Sequence, residues 1–235
     1  MNISADFGMN QDFALAKILL IYSSGHRAFA TVHEPKSSPD GGPPYLDEGR
    51  PITMEFLKEL GRQLGASLPK EILPPSVLVR AVDMLVWWTP HQKRLMFYGD
   101  ASDGRALNGK TFPVPPLVFK VSGSELSIRA LASVERPSAS TKLMIAPCWN
   151  TDSRGAVCQG SMRTPSRLTL DAISQWERAF FESEFTHAGL GAKLTKHPQG
   201  FLGLWNELAG AREFPARYLA GSGETLQEFI DSGRS

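Results

Sequence analysis

The spacing of hydrophobic and polar positions changes character twice along this chain. Residues 13–22 and 28–33 are apolar-rich runs that predict two short strands joined by a turn at Ser24-Gly25. Residues 34–51, dense in Pro, Gly and Asp, predict an exposed loop. Thr53 stands where a helix N-cap belongs, ahead of Phe56, Leu57, Leu60 and Leu64 at helical spacing, with Gly65 as the stop. After Pro69, Pro74 and Pro75 the apolar runs have strand length. Residues 82–88 and 94–98 flank the polar stretch 89–93, a hairpin signature, and residues 117–122 and 126–131 flank Gly123-Ser124, a second one. A polar loop, 133–141, leads to a last short strand at 143–147. Helical periodicity returns at Thr169, with Ile173, Trp176 and Phe180 on one face and Glu177, Arg178 and Glu182 turned away. A short helix is predicted around 204–208, and another from Thr225, whose spacing to Glu228 is that of a capping box. No internal repeat is visible. Strands followed by helices define an α+β class: an antiparallel meander with helices over one face or end of the sheet. A boundary near Val79 separates an N-terminal extension, 1–78, from the main domain, 79–235.

Composition narrows the setting. At 235 residues and 42% hydrophobic, the chain is an ordinary globular sequence, long enough to bury a large core. Its 25 basic and 24 acidic residues leave a formal +1 with no basic run. Neither nucleic acid nor a membrane surface is therefore expected as a direct partner. The apolar stretch 14–22 is broken by Lys17, is too short to cross a bilayer, and lacks the features of a signal peptide. Two cysteines, Cys148 and Cys158, are too few for a secreted disulfide framework, so a cytoplasmic protein is expected.

The informative segment is 146–160, Ala-Pro-Cys-Trp-Asn-Thr-Asp-Ser-Arg-Gly-Ala-Val-Cys-Gln-Gly. It is polar, contains glycine and lies between the sheet and the helices, where a cysteine is well placed to react. Residue type alone favours a plainer role for Cys158, that of a small buried hydrophobe. The segment resembles the active-site loop of ubiquitin-conjugating enzymes. That loop reads His-Pro-Asn, seven residues, then the catalytic Cys, with Gly three residues before it and Ile or Val directly before it. Here seven residues separate Asn150 from Cys158, Gly155 is three before it, and Val157 precedes it. Phe112-Pro113-Val114-Pro115-Pro116, followed by the apolar residues 117–119, is similar to the family's aromatic-proline segment and Pro-Pro pair, one residue shorter. The departures are Cys148-Trp149 in place of His-Pro, a longer interval from Pro116 to Asn150, and no counterpart of the family's leading helix before Val79. Over nearly its whole length the chain resembles the PRTRC system protein B family. This is a bacterial branch of the superfamily whose members lack that His and have a His carboxyl-terminal to the Cys.

The resemblance implies a ubiquitin-conjugating-enzyme-like fold and a transferase that accepts a ubiquitin-like protein as a thioester on Cys158 and passes it to an amine. The alternative is a non-catalytic module of the same fold that docks a ThiF-like activating enzyme or the ubiquitin-like protein. A JAB-type peptidase of the same cassette is a further implied partner. Asn150 has the side chain to donate to an oxyanion, or else it braces the loop. Cys148, Trp149 and Gly155 are expected to shape the loop, with Cys148 packed beneath it. His187, at the end of the aromatic segment 180–186, is either a base or thiolate partner, or a helix-terminal His favoured by the dipole. His197 and His91 are expected in a surface loop and a hairpin turn. The set Cys148, Cys158, His187 and His197 fits no common zinc spacing, so neither metal nor cofactor is expected.

Overall fold

The computed structural model describes residues 15–232 apart from 26, 40, 43–44, 65–69, 100–102, 161 and 188–192. The helix stop at Gly65, the break at Pro69 and the start of the 13–22 strand fall outside them. The chain divides into two compact units, Met1–Ser67 and Leu68–Ser235. In the first, β1 (Ile18–Ser24) and β2 (Arg27–His33) pair antiparallel across Gly25, whose φ of +57° suits glycine. The expected loop contains a short pair, β3 (Pro35–Lys36) with β4 (Tyr45–Leu46), and β5 (Arg50–Pro51), which adds to β2. Thr53 caps α1 (Met54–Gln63), its hydroxyl accepting from the N–H of Phe56 at 3.1 Å. No residue of α1 is buried.

The second unit opens with β6 (Val77–Arg80). Val79 lies inside this strand, so the units part earlier than expected, because β6 pairs with β7 (Met84–Thr89) at the edge of the main sheet. The expected 82–98 hairpin is also corrected. β8 (Gln92–Tyr98) does not fold back on β7; it pairs with β9 (Lys110–Val114) in a separate small sheet, while β7 pairs with β10 (Leu117–Ser122). Thr89 faces Leu117 in the large sheet and Gln92 faces Val114 in the small one, so a single antiparallel register runs through both. The ladder breaks only where Pro90, Pro115 and Pro116 offer no N–H. The polar stretch 89–93 is thus a bend in one long hairpin.

From β10 the chain turns at Gly123, φ +59°, into β11 (Glu125–Ala130) and then runs to β12 (Lys142–Ile145), as expected. β12 is not the last strand. β13 (Glu184–Phe185) joins β8 in parallel, and β14 (Gly221–Thr225) pairs with β12, giving the order β14-β12-β11-β10-β7-β6 in the large sheet. Two residues of strand amid loop, and a Gly-Ser-Gly strand, carry no periodicity by which to see them.

β10 is central and buried on both faces. Leu117, Phe119 and Val121 meet Trp87, Ile128, Trp176, Phe180 and Trp205 on one side. Val118 meets Val86, Leu131 and Leu143 on the other. Helices accordingly cover both faces, not one: α2 (Ile173–Phe181) and α3 (Gly200–Leu208) the first, α4 (Leu226–Asp231) the second, through Leu226 and Phe229. Each such large apolar side chain contributes about 1.5–3 kcal/mol on burial. α4 begins with the expected capping box of Thr225 and Glu228 and ends at Lys120, whose Nζ donates to the carbonyls of Phe229 and Ser232. Burial pulls the pKa of Lys120 down. Glu177 of α2 turns inward, contrary to expectation, and accepts from Arg94 at 2.6 Å and from the Trp87 indole at 3.2 Å.

Candidate active site

The segment that carries Cys158 is built by an unfinished strand pairing. β12 meets β11 only at Arg129 and Ala130, leaving the first part of β11 without a neighbour on that side. Backbone polar groups there need partners, and residues 155–157 supply them. The N–H of Ile128 donates to Gly155 O at 2.8 Å, and the N–H of Val157 donates to Leu126 O at 3.0 Å. Gly155 is at φ +86°, and a Cβ there would stand 2.6 Å from Ile128 O, so the approach requires glycine. Asp152 closes the turn, its Oδ1 accepting from the N–H of Arg154 at 2.8 Å and of Ala156 at 2.9 Å. Thr151 bridges to Val157 across this small hairpin. At its base the N–H of Cys158 donates to Asn150 O at 2.7 Å, and beyond it Gln159 reaches Ser124 O at 2.7 Å.

Asn150 is the one non-glycine residue at positive φ, +54°, among the described residues. Asn tolerates that region better than most. Its Oδ1 accepts from the N–H of Thr186 at 3.1 Å, the N–H of His187 at 3.3 Å and the Thr186 hydroxyl at 3.3 Å. Its Nδ2 donates to Glu184 O at 3.2 Å, and its own N–H donates to His187 O at 2.9 Å. Asn150 therefore ties the loop to the segment after α2. Exposed Cys158 and Asn150 share a cleft of about 150 Å³ with Gln159, Gly160, Ser183, Glu184 and Thr186. A groove of about 390 Å³ shares Ser183 and Glu184 with it and runs along α2 past Arg178 and Met162.

Ten residues before Cys158, Cys148 is buried and free, its thiol pushed up to about 12 by burial. Trp149 is wholly buried, its ring edge-on to Tyr98 and to Phe201 of α3, both at 5.0 Å between centroids. These two residues anchor the start of the loop in the core. His187 does not end a helix: α2 stops at Phe181, and β13 intervenes. Its ring bonds Thr186 Oγ1 at 3.1 Å, and His187 is not among the residues lining the cleft. His197 is not a surface residue. It is buried, with Nδ1 accepting from the N–H of Gln199 and Nε2 facing Glu207 at 2.9 Å, and its hydrogen bond holds the Glu207 carboxyl below its usual range. His91 is at the bend of the long hairpin, near Val114 O. No three His, Cys, Asp or Glu residues converge as a metal set among the described residues. Glu184 and Thr186 were missed by sequence reasoning, since only the return of β13 beside β8 brings them to Cys158.

A mostly antiparallel sheet, an exposed cysteine on the loop that follows it, and helices thereafter define a protein of ubiquitin-conjugating-enzyme-like type. The model for Prok-E2_D, prokaryotic E2 family D, matches residues 53–222, and the chain belongs to that family. The match spans the cleft and its loop and stops inside β14. No curated protein and no solved structure matches the chain. No helix among the described residues is long and apolar enough to cross a membrane.

Proposed function

We propose that this E2-like protein accepts a ubiquitin-like protein as a thioester on Cys158 and passes it to an amine. The observation that carries the reading is the cleft itself: an exposed thiol and the Asn150 carboxamide in one small space, held in place by the Cys158 N–H to Asn150 O bond. In charging, the Cys158 thiolate attacks the thioester of a ThiF-like activating enzyme and releases that enzyme's thiolate. In discharge, the acceptor amine attacks the carbonyl, an amide forms, and the Cys158 thiolate leaves. Asn150 spends one Nδ2 hydrogen on Glu184 O and keeps the other for the oxyanion. A donor in that role is worth about 2.7–4 kcal/mol. The proton that the acceptor amine sheds passes to solvent at the open cleft, where Glu184 contributes the backbone carbonyl that holds Asn150. His187 serves through its backbone, which exchanges hydrogen bonds with Asn150.

The PRTRC system protein B branch is the one the sequence resembles. The partners are then a ThiF-like enzyme, a ubiquitin-like protein and a JAB-type peptidase of the same cassette, acting in the cytoplasm. A second reading, a docking module that does not turn over, draws on Cys148-Trp149 standing where conjugating enzymes carry His-Pro. Incubation with the ThiF-like protein, the ubiquitin-like protein and ATP separates the two. A thiol-sensitive adduct on Cys158 supports the transferase; a stable complex with no adduct supports the module.

A further inference from the structure

Beneath the Cys158 loop, on the face of the sheet that α4 covers, lies a charged pair that the cleft itself does not use. Arg129 is buried in β11. Its Nε donates to the carboxylate of Glu224 in β14, and its Nη1 donates to Ser153 O at 2.7 Å, at the tip of the Asp152–Ala156 turn. The guanidinium lies against Gly155, where a Cβ would come within 3.4 Å of Cζ and Nη1. Arg129 thus joins the loop to the C-terminal strand and helix. That end is itself fastened: the Ser222 hydroxyl donates to Leu143 O at 2.8 Å, Thr225 caps α4, and Lys120 holds the carbonyls of Phe229 and Ser232. Glu224 and α4 lie beyond the residues that the family model matches.

From this geometry we infer that Arg129 is a positioning residue for Cys158, oriented by Glu224, so that docking of the C-terminal β14–α4 segment sets the placement of the loop. A guanidinium is suited to this because its fixed fork serves a carboxylate on one side and a carbonyl on the other. The inference rests on the thioester reading for its purpose, but its geometry can be tested without it.

The test is amide hydrogen exchange on the full chain, comparing wild type with Glu224→Ala and Glu224→Gln. Gly155 and Ala156 report on the turn, since their N–H groups bond Asp152. Phe119 and Val118 report on the sheet. Without the carboxylate, Gly155 and Ala156 are expected to exchange about tenfold faster, the factor given by losing one charge-assisted hydrogen bond. The sheet amides should accelerate less than the turn amides, and Glu224→Gln, which keeps an acceptor for Arg129, should restore much of the protection. Unchanged exchange at Gly155 and Ala156 overturns the inference, as does equal acceleration of loop and sheet, which marks a general loss of stability. If Glu224→Ala does not fold, Glu224→Thr, which loses the carboxylate and suits a strand, takes its place and is read by the same two outcomes. A wild-type protein that never charges refutes the thioester reading and leaves the exchange result standing.

Discussion

Cys148 and Cys158 stand ten residues apart on one loop, yet their surroundings share little. Cys148 sits between Ala146 and Trp149 in the core, and Trp149 is wedged edge-on between Tyr98 and Phe201. Cys158 is exposed in a polar cleft, held through its backbone by Asn150 and followed by a glutamine hooked to the β10–β11 turn. One end of the loop is fixed by packing and the other by hydrogen bonds. Packing holds a residue by excluding solvent, which silences a thiol. Backbone hydrogen bonds hold a residue while leaving its side chain free, which a nucleophile needs.

The sharpest break of this comparison is Cys158→Ala, which should abolish the thiol-sensitive adduct, while Cys158→Ser should leave a more stable ester. Normal charging of Cys158→Ala, read on a non-reducing gel, would place the chemistry elsewhere. Next comes accessibility. Brief alkylation and peptide mass spectrometry should find Cys158 labelled roughly a hundredfold faster than Cys148, whose exposure awaits an opening of the core. Matching rates would erase the distinction between the two ends.

Asn150→Asp sharpens the division of labour at Asn150. It keeps the acceptor of three hydrogen bonds and loses the Nδ2 donor. Discharge to an amine should slow roughly a hundredfold, with charging less affected, because attack by an amine is the harder step and leans more on the oxyanion donor than thiol exchange between two thioesters does. Equal slowing of both steps in single-turnover assays would mark Asn150 as a brace alone. Gly155→Ala tests the hydrogen-bonded end. With φ at +86° and Ile128 O in the way, it should cost about 1–3 kcal/mol in denaturant unfolding. A neutral result would mean that the loop need not approach β11 so closely.

The smallest effect concerns the packed end. Burial lifts the Cys148 thiol from 9.0 to about 12, so the folded chain keeps a proton that the unfolded chain gives up first. Stability from this group is full below the unfolded value and falls as pH rises from there through about 12. The slope is at most about 1.4 kcal/mol per pH unit. Cys148→Ala should lack it, seen as a difference in urea midpoints between about pH 9 and 10. Tyr98, whose hydroxyl is raised first by burial and then by the neighbouring Cys148, stays protonated through that pH window in both proteins. Parallel pH profiles would show Cys148 to be open to solvent.

Much of this was legible along the chain. Thr53 and Thr225 as caps, the β10–β11 turn at Gly123, and the apolar face of α2 depend on neighbours within a few residues. The spacing of Asn150, Gly155, Val157 and Cys158 likewise singled out the loop. Other features were decided only in three dimensions. Residues 89–93 look like a turn because polar residues and Pro90 interrupt two apolar runs. A bend in a long hairpin has the same composition, and only the partner strand, itself broken at Pro115-Pro116, tells them apart. β13 is two residues long and gains its identity from β8, and with it Glu184 and Thr186 arrive beside Cys158. His187 looked like a helix end because the two-residue β13 before it has no local signal, and His197 looked like surface because burial depends on what returns from elsewhere in the chain. Local signals determine caps, turns and periodicity, because their energies lie between near neighbours. The cleft joins residues 150–160 to 183–186 through long-range pairing, and no local period records which distant segment will fill an unfinished strand.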